Sequence, residues 1–449
     1  MRARIPLVAG VALAAAGALA WLLLRGEAPT PSPHAAPPPR DVVLITFDTT
    51  RADHLPPWGY GRDTAPTLAG LAREGVVLEA LRAPIPLTTP SHATIFTGLS
   101  PRSHTVRANY GSFDRLPDGI HTLAEDLRGR GWETGAFVAA FPAGAAGGLD
   151  RGFTTFDEPF EVERPADEVV DAALAWLAGR SATPFFLWVH VFDPHGPYQP
   201  PDEALASLGV SLSPEDAAPV GGHRSPADDV LHYDGEIRFA DAEVGRLLAA
   251  VGGMGRPAPL IVVLADHGET LTERPTAFQH GHTLYEEQLH VPGILVGGPS
   301  PAGSRVGGMW ELMDLRPTLL SLLGIPIPPG LDGRDRSAEL RAPGPAPVYE
   351  GEGLAPGELE AAAFAESMPC TAAKGMRCGP EGPRGKLRGI RAGRWKLIFT
   401  PHPDGARFEL YRLDRDPGET EDVIDRYPEV ARALAAALRE QARGDDALR

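Results

Sequence analysis

Apolar runs alternate along the chain with polar stretches of helical spacing. Val42–Phe47, residues 136–139, Phe185–Val191, residues 260–264 and Gly293–Val296 read as strands buried on both faces, because they lack the polar alternation of half-exposed strands. Between them, Pro66–Glu74 predicts a helix with Thr64 as its cap and Gly75 as its stop. Val170, Leu174 and Leu177 share one helical face, and so do Tyr233, Ile237, Val244, Leu247 and Leu248. Residues 312–323 predict another helix, closed by Gly324 and barred from continuing by Pro326 and Pro328. Strands that alternate with helices predict an α/β fold, a mostly parallel sheet sandwiched by helices.

The pattern changes near residue 340. Residues 389–399 and 407–413 read as strands of a small sheet, and Val430, Leu434 and Leu438 mark the apolar face of a closing helix. A C-terminal α+β subdomain over 341–449 therefore follows a main domain over 41–340. Residues 202–228 are polar and weakly periodic and predict a long loop, open to two readings: a lid, or a plain surface insertion.

The N-terminus stands apart. Residues 5–24 are almost wholly apolar and follow Arg2 and Arg4, and about twenty such residues match a ~30 Å hydrocarbon core. Residues 1–27 thus read as a signal anchor that leaves the remainder outside the membrane, while Ala18-Leu19-Ala20 keeps a cleaved signal peptide open. The proline-rich stretch 28–40 reads as an extended spacer. The location implied is extracytoplasmic, either periplasmic or cell-surface. Outside the cytoplasm disulfides persist, so Cys370 and Cys378 read as a short-loop disulfide rather than half of a zinc site that lacks its other ligands. The formal charge of -17 excludes nucleic acid as a partner, since a phosphate backbone demands a basic footprint. An anionic substrate must then be held locally, by metal.

Chemistry gathers at two strand ends. Asp48 directly follows the first apolar run, and Asp266-His267-Gly268-Glu269 directly follows the fourth. In an open α/β sheet the carboxyl ends of strands border the crevice where ligands bind.

These residues, with the stretch from Thr88 through Gly98, Asp193-Pro194-His195-Gly196-Pro197-Tyr198, Asp314-Leu315-Arg316-Pro317-Thr318 and Glu409-Leu410-Tyr411-Arg412-Leu413, resemble the sulfatase family of the alkaline-phosphatase-like superfamily. The resemblance covers residues 41–427. It implies a divalent metal held by Asp48, Asp266, His267 and Thr88, with Asp193 a further candidate. Thr88 stands where sulfatases carry the cysteine that becomes formylglycine. Oxidising a threonine gives a ketone rather than an aldehyde, so no formylglycine is expected. A hydroxyl nucleophile must be activated by a base or a metal, and relatives in the superfamily use a metal-bound threonine.

His92 replaces the arginine usual beside that position, and His195 matches a histidine that contacts substrate oxygen or protonates the leaving group. His92 and His195 therefore join Thr88 as catalytic candidates, while His280, His282 and Asn109 are candidates for substrate binding. One imidazole among oxygen ligands favours zinc or manganese over calcium. His190, inside an apolar run, reads as a core histidine, and His54 and His290 as structural or peripheral.

The expected activity is an exported hydrolase of sulfate or phosphate esters, with chemistry favouring phosphoryl transfer. The substrate would be a small molecule or a glycan or lipid ester. Two other readings stay open: a transferase moving a phospho-headgroup to a glycan or lipid, and a degenerate fold that binds glycans without turnover.

Overall fold

The computed structural model describes residues 40–441 apart from 110–114, 160–162, 181, 210–224, 276–277, 356, 368–385 and 403–404. The apolar segment 5–24, most of the spacer, both cysteines and the middle of 202–228 lie outside the described residues. Among the described residues no helix is long and apolar enough to cross a membrane.

A nine-stranded sheet forms the centre. In chain order its strands are β1 (Val42–Phe47), β2 (Val76–Arg82), β3 (Glu133–Val138), β4 (Thr155–Asp157), β5 (Phe185–Val191), β6 (Leu260–Ala265), β7 (His290–Val291), β8 (Gly293–Val296) and β9 (Ser304–Glu311). In space they run β4-β3-β5-β1-β6-β8-β2-β7, with β9 against β2. From β4 to β6 every pairing is parallel. The sheet is mostly parallel, as expected; beyond β6 it becomes mixed, because β8 pairs antiparallel with both β6 and β2. β1, at the centre, has every residue buried, as its unbroken apolar run requires.

Helices of eight residues or more are α1 (Pro66–Glu74), α2 (Thr88–Thr97), α3 (Ala166–Ala178), α4 (Pro226–Gly253), α5 (Leu315–Leu322) and α6 (Pro428–Gln441). The expected cap of α1 is corrected: the Thr64 hydroxyl donates to the carbonyl of His54. Asp241, on α4, instead accepts the N–H groups of Thr67 and Leu68 at 2.8 and 2.9 Å, satisfying two of the donors that a helix N-terminus leaves unpaired. The expected loop 202–228 is shortened at both ends, by a helical turn at Asp202–Ser207 and by α4, whose start Ser225 caps through its hydroxyl. Residues 312–323 divide into a 3-10 turn at Leu312–Asp314 and α5.

A second, four-stranded antiparallel sheet is made by β10 (Ala363–Glu366), β11 (Arg388–Ala392), β12 (Trp395–Thr400) and β13 (Arg407–Arg412). The stretch 389–399 is two strands, turned at Gly393 with φ 57. Ile390, Trp395, Leu397 and Leu410 pack on Val430, Leu434 and Leu438 of α6. Each such fully buried aliphatic side chain contributes roughly 1.5–3 kcal/mol.

Charged groups cross the seam between the two sheets. Glu286 accepts from Arg82 at 2.6 Å, from Lys396 at 3.0 Å and from Arg391, and Lys396 also meets Glu419 at 2.9 Å. A charge buried alone would be costly, so these groups are buried together.

Candidate active site

Parallel pairing sets Phe47 beside Ala265, so Asp48 and Asp266 leave the sheet side by side at its carboxyl edge. The turn after β1 is tight. Thr49 adopts φ 49, a left-handed conformation that costs a β-branched residue on the order of 1–3 kcal/mol, and hydrogen bonds hold it there. Its N–H donates to Asp266 Oδ1 at 3.3 Å, its hydroxyl to the Pro194 carbonyl at 2.7 Å, and its carbonyl accepts from the Tyr233 hydroxyl at 2.9 Å.

Thr88 is the first residue of α2. Extended backbone at Leu87 precedes it, and Asn109 Oδ1 accepts the Thr89 N–H at 3.0 Å, which fixes the buried start of the helix. The Thr88 hydroxyl donates to Asp48 Oδ2 at 3.3 Å and lies 3.4 Å from His267 Nε2. His267 Nδ1 donates to the Gly268 carbonyl at 2.9 Å, so its Nε2 carries a lone pair. That lone pair lies 3.5 Å from Asp266 Oδ2 and 3.9 Å from Asp48 Oδ1. Both of those oxygens are buried without a hydrogen-bond partner among the described residues. Desolvation raises Asp48 to about 8, and raises Asp266 well up with Asp48 adding to the shift.

Two buried carboxylates with partnerless oxygens, one imidazole lone pair and one hydroxyl are converging and electron-rich. Ligating atoms of Asp48, Asp266 and His267 all lie within 4.8 Å of one another. The donor set fits a divalent cation, which would offset the repulsion and desolvation that burial imposes on the acids.

Histidines close the other side of the pocket. His195 stacks on Phe192 with centroids 4.2 Å apart, and its Nδ1 donates to the Gly196 carbonyl at 2.7 Å. His280 lies 4.5 Å from the His267 ring, with its Nδ1 donating to the Pro86 carbonyl at 3.2 Å. The two Nε2 atoms face each other at 3.2 Å. Desolvation lowers His195 below the ordinary histidine value and His280 to about 3. His282, half-buried, borders His280 and adds to that lowering.

The structure thus gathers Asp48, Asp266, His267, Thr88, His195 and His280. His92 is fully buried behind Thr88, with Nδ1 against the Thr88 carbonyl at 2.9 Å and Nε2 against the Thr46 hydroxyl at 3.0 Å. Asp193 falls outside the metal-compatible groups among the described residues. Its Oδ1 accepts the Ala166 N–H at the start of α3, and burial raises its carboxyl to about 7.

His190 is the residue whose place the sequence did not disclose. Its Nε2 lies 3.2 Å from Asp48 Oδ2, the oxygen that also accepts from Thr88. Burial lowers its basicity to about 3, so the neutral ring donates and orients that carboxylate. Gln288, 1% exposed, ties the loop bearing His280 and His282 through Gly281 N–H, Thr283 and Thr270. Gly268 lies in close approach to its neighbour: a Cβ there would stand 2.2 Å from the Glu287 carbonyl oxygen, and its N–H donates to the Gln288 carbonyl at 2.9 Å.

A family model described as Sulfatase matches residues 40–325. The chain belongs to the sulfatase family. Delta 4,5-hexuronate-2-O-sulfatase of Bacteroides thetaiotaomicron is 24% identical over 440 residues, covering 87% of this chain and 86% of that protein. Arylsulfatase K of Bos taurus is 26% identical over 202 residues, 44% of this chain; the match spans only 34% of that relative's length. The fold is also that of the phosphonate monoester hydrolase of Agrobacterium radiobacter, with TM-score 0.70, 23% identity, and coverage of 90% and 96% of the two chains. Sulfatase-family enzymes are ester hydrolases that typically depend on a metal, and the ligating atoms of Asp48, Asp266 and His267 stand close enough together to hold one.

Proposed function

We propose that the chain is an exported, metal-dependent hydrolase that cleaves a phosphate or sulfate ester through the Thr88 hydroxyl, with phosphoryl transfer favoured. The observation that carries this reading is Thr88 Oγ1, 3.3 Å from Asp48 and 3.4 Å from His267, against two carboxylate oxygens that have no hydrogen-bond partner among the described residues. Asp48, Asp266, His267 and Thr88 would hold zinc or manganese. Such an ion supplies charge that makes the threonine oxygen a better nucleophile and neutralises a reacting anion in a protein of net charge -17.

In the first step the Thr88 oxygen bonds to phosphorus, the bond to the ester oxygen breaks, and the proton Thr88 gives up ends on the leaving oxygen. Water then attacks the phosphorus of the threonine ester, the bond to the Thr88 oxygen breaks, and a proton returns to that oxygen to restore the hydroxyl. The water must lose a proton as it attacks, and the Nε2 lone pairs of His195 and His280 are acceptors on that side of the pocket. His92 and Asn109 hold α2 and so aim Thr88. His282 borders the substrate. The likeness to a hexuronate sulfatase supports an anionic sugar as one substrate class.

Intact mass after incubation with an aryl phosphate and an aryl sulfate tests this. A phosphate-sized adduct is expected on the native chain, absent from Thr88→Ala of unchanged circular dichroism. Turnover at the native rate in Thr88→Ala would reject the nucleophile.

A second reading, transfer of a phospho-headgroup to a glycan or lipid, draws on the apolar segment 5–24, which would hold the site near lipids. Product that appears only with an added acceptor, with no release to water, would favour it.

A further inference from the structure

In a chain of net charge -17, one place beside the pocket gathers positive charge. Arg107 lies two positions before Asn109, whose side chain holds the Thr89 N–H. Its Nε donates to the Pro101 carbonyl at 3.4 Å and meets Glu366 Oε1 at 3.5 Å. Lys386 Nζ donates to that same oxygen at 2.8 Å. Two cations thus share one carboxylate oxygen. An arginine kept only to pair with Glu366 would turn its paired Nη atoms onto the carboxylate, the geometry that gives two hydrogen bonds. Here those two nitrogens have no hydrogen-bond partner among the described residues, and the Arg107 side chain is 33% exposed.

Backbone bonds set the cluster against the site. The Glu366 N–H, at the end of β10, donates to the Pro84 carbonyl at 2.9 Å, and the Pro86 carbonyl accepts from His280. Leu87 and Thr88 follow directly. Arg107 and Glu366 therefore border the two segments, 84–87 and Asn109, that lead into the helix bearing Thr88. Burial lowers the Lys386 ammonium, Glu366 opposes the lowering, and Arg107 adds to it. A second carboxylate on the Arg107 fork would bring the local charge to balance.

We propose that Arg107 is a specificity-determining residue whose Nη pair, with Lys386 beside it, binds a carboxylate that the substrate carries in addition to the ester group attacked at Thr88. The inference deepens the functional reading above and rests on it. An ester of an acidic sugar presents both groups; an ester of a neutral sugar presents one.

A hexuronate 2-phosphate and the matching hexose 2-phosphate, with hydroxymethyl in place of carboxylate, test this on the metal-loaded full chain. The native chain is expected to favour the uronate by about 10–100-fold in kcat/KM, the usual weight of a hydrogen bond between charged groups. Arg107→Gln should bring that ratio toward one by raising KM for the uronate. Arg107→Lys, which keeps the charge but not the fork, should restore part of it, and both variants are checked for native circular dichroism. A structural role for Arg107 would instead lower both substrates alike and leave the ratio in place. Calorimetric binding of the same two sugars reads the ratio without turnover. No uronate preference on the native chain, or a preference that Arg107→Gln keeps, would overturn the subsite while leaving the chemistry at Thr88 standing. A binding preference that Arg107→Gln loses, in a chain that forms no adduct at Thr88, would keep the subsite and remove the nucleophile.

Discussion

At the scale of single residues, the orienting contact at the first carboxylate deserves its own measurement. His190 donates to the Asp48 oxygen that also accepts from Thr88, and so turns the other oxygen toward the pocket. His190→Ala should weaken metal binding by about 10–100-fold, the usual effect of losing such a supporting partner, with the fold retained. Competition against a fluorescent chelator measures it; unchanged affinity would leave His190 a packing residue. Asp48, Asp266, His267 and Thr88 were legible in the sequence, because each lies at a strand end or a motif that fixes its place in the crevice. His190 was not. Within the run Phe185–Val191 it carries the pattern of a core histidine, and only the parallel register that sets it beside Thr46 brings it to Asp48. Cross-strand register leaves no trace in one strand's own residues.

Elements were legible where apolar periodicity was long. α3, α4, α6 and the five expected strands all form, and the boundary errors have local causes. β2, β4, β7, β9 and β10 went unread. β7 has only two residues, and β9 carries Gly307 and Gly308 in a run too polar to signal a strand. The cap of α1 was misplaced for a similar reason. Asp241 lies 174 positions from Thr67, and local capping rules see only neighbours. The seam between the two sheets offers a further test. Burial would raise Glu286, but Arg82 and Lys396 outweigh it and hold the carboxyl down at about 2. Since the unfolded value lies near about 4.3, the group contributes stability that is full above about pH 4.3 and is lost as pH falls toward 2. Glu286→Gln leaves buried cations unbalanced and should cost about 3 kcal/mol at pH 7. It should also flatten the loss of stability between pH 4 and about 2. Urea unfolding at several pH values reads both; a variant with native slope and stability would show that the seam does not depend on this charge.

For the whole molecule, the composition had already set most of the chemistry. A chain of net charge -17 repels the anions it is proposed to cleave, so binding should depend on the cation. Chelation is expected to abolish the covalent adduct and to lower the melting temperature, both restored by zinc or manganese; an adduct that survives metal removal would separate Thr88 from the ion. Location can be tested in the same preparation. With residues 5–24 retained, the chain should sediment with membranes, resist alkaline carbonate and be released by detergent. A soluble form whose N-terminus lies just after Ala20 would show cleavage instead.

The backbone at Gly268 ties these levels together. Its missing side chain lets the strand that presents His267 lie directly on the Glu287 carbonyl, next to the carboxylate that the second sheet grips. The consequence is mechanical: the imidazole and the seam are joined through one backbone contact, so a shift at one end is expected to reach the other. Loosening at the distant end would blunt the chemistry well before the protein unravels.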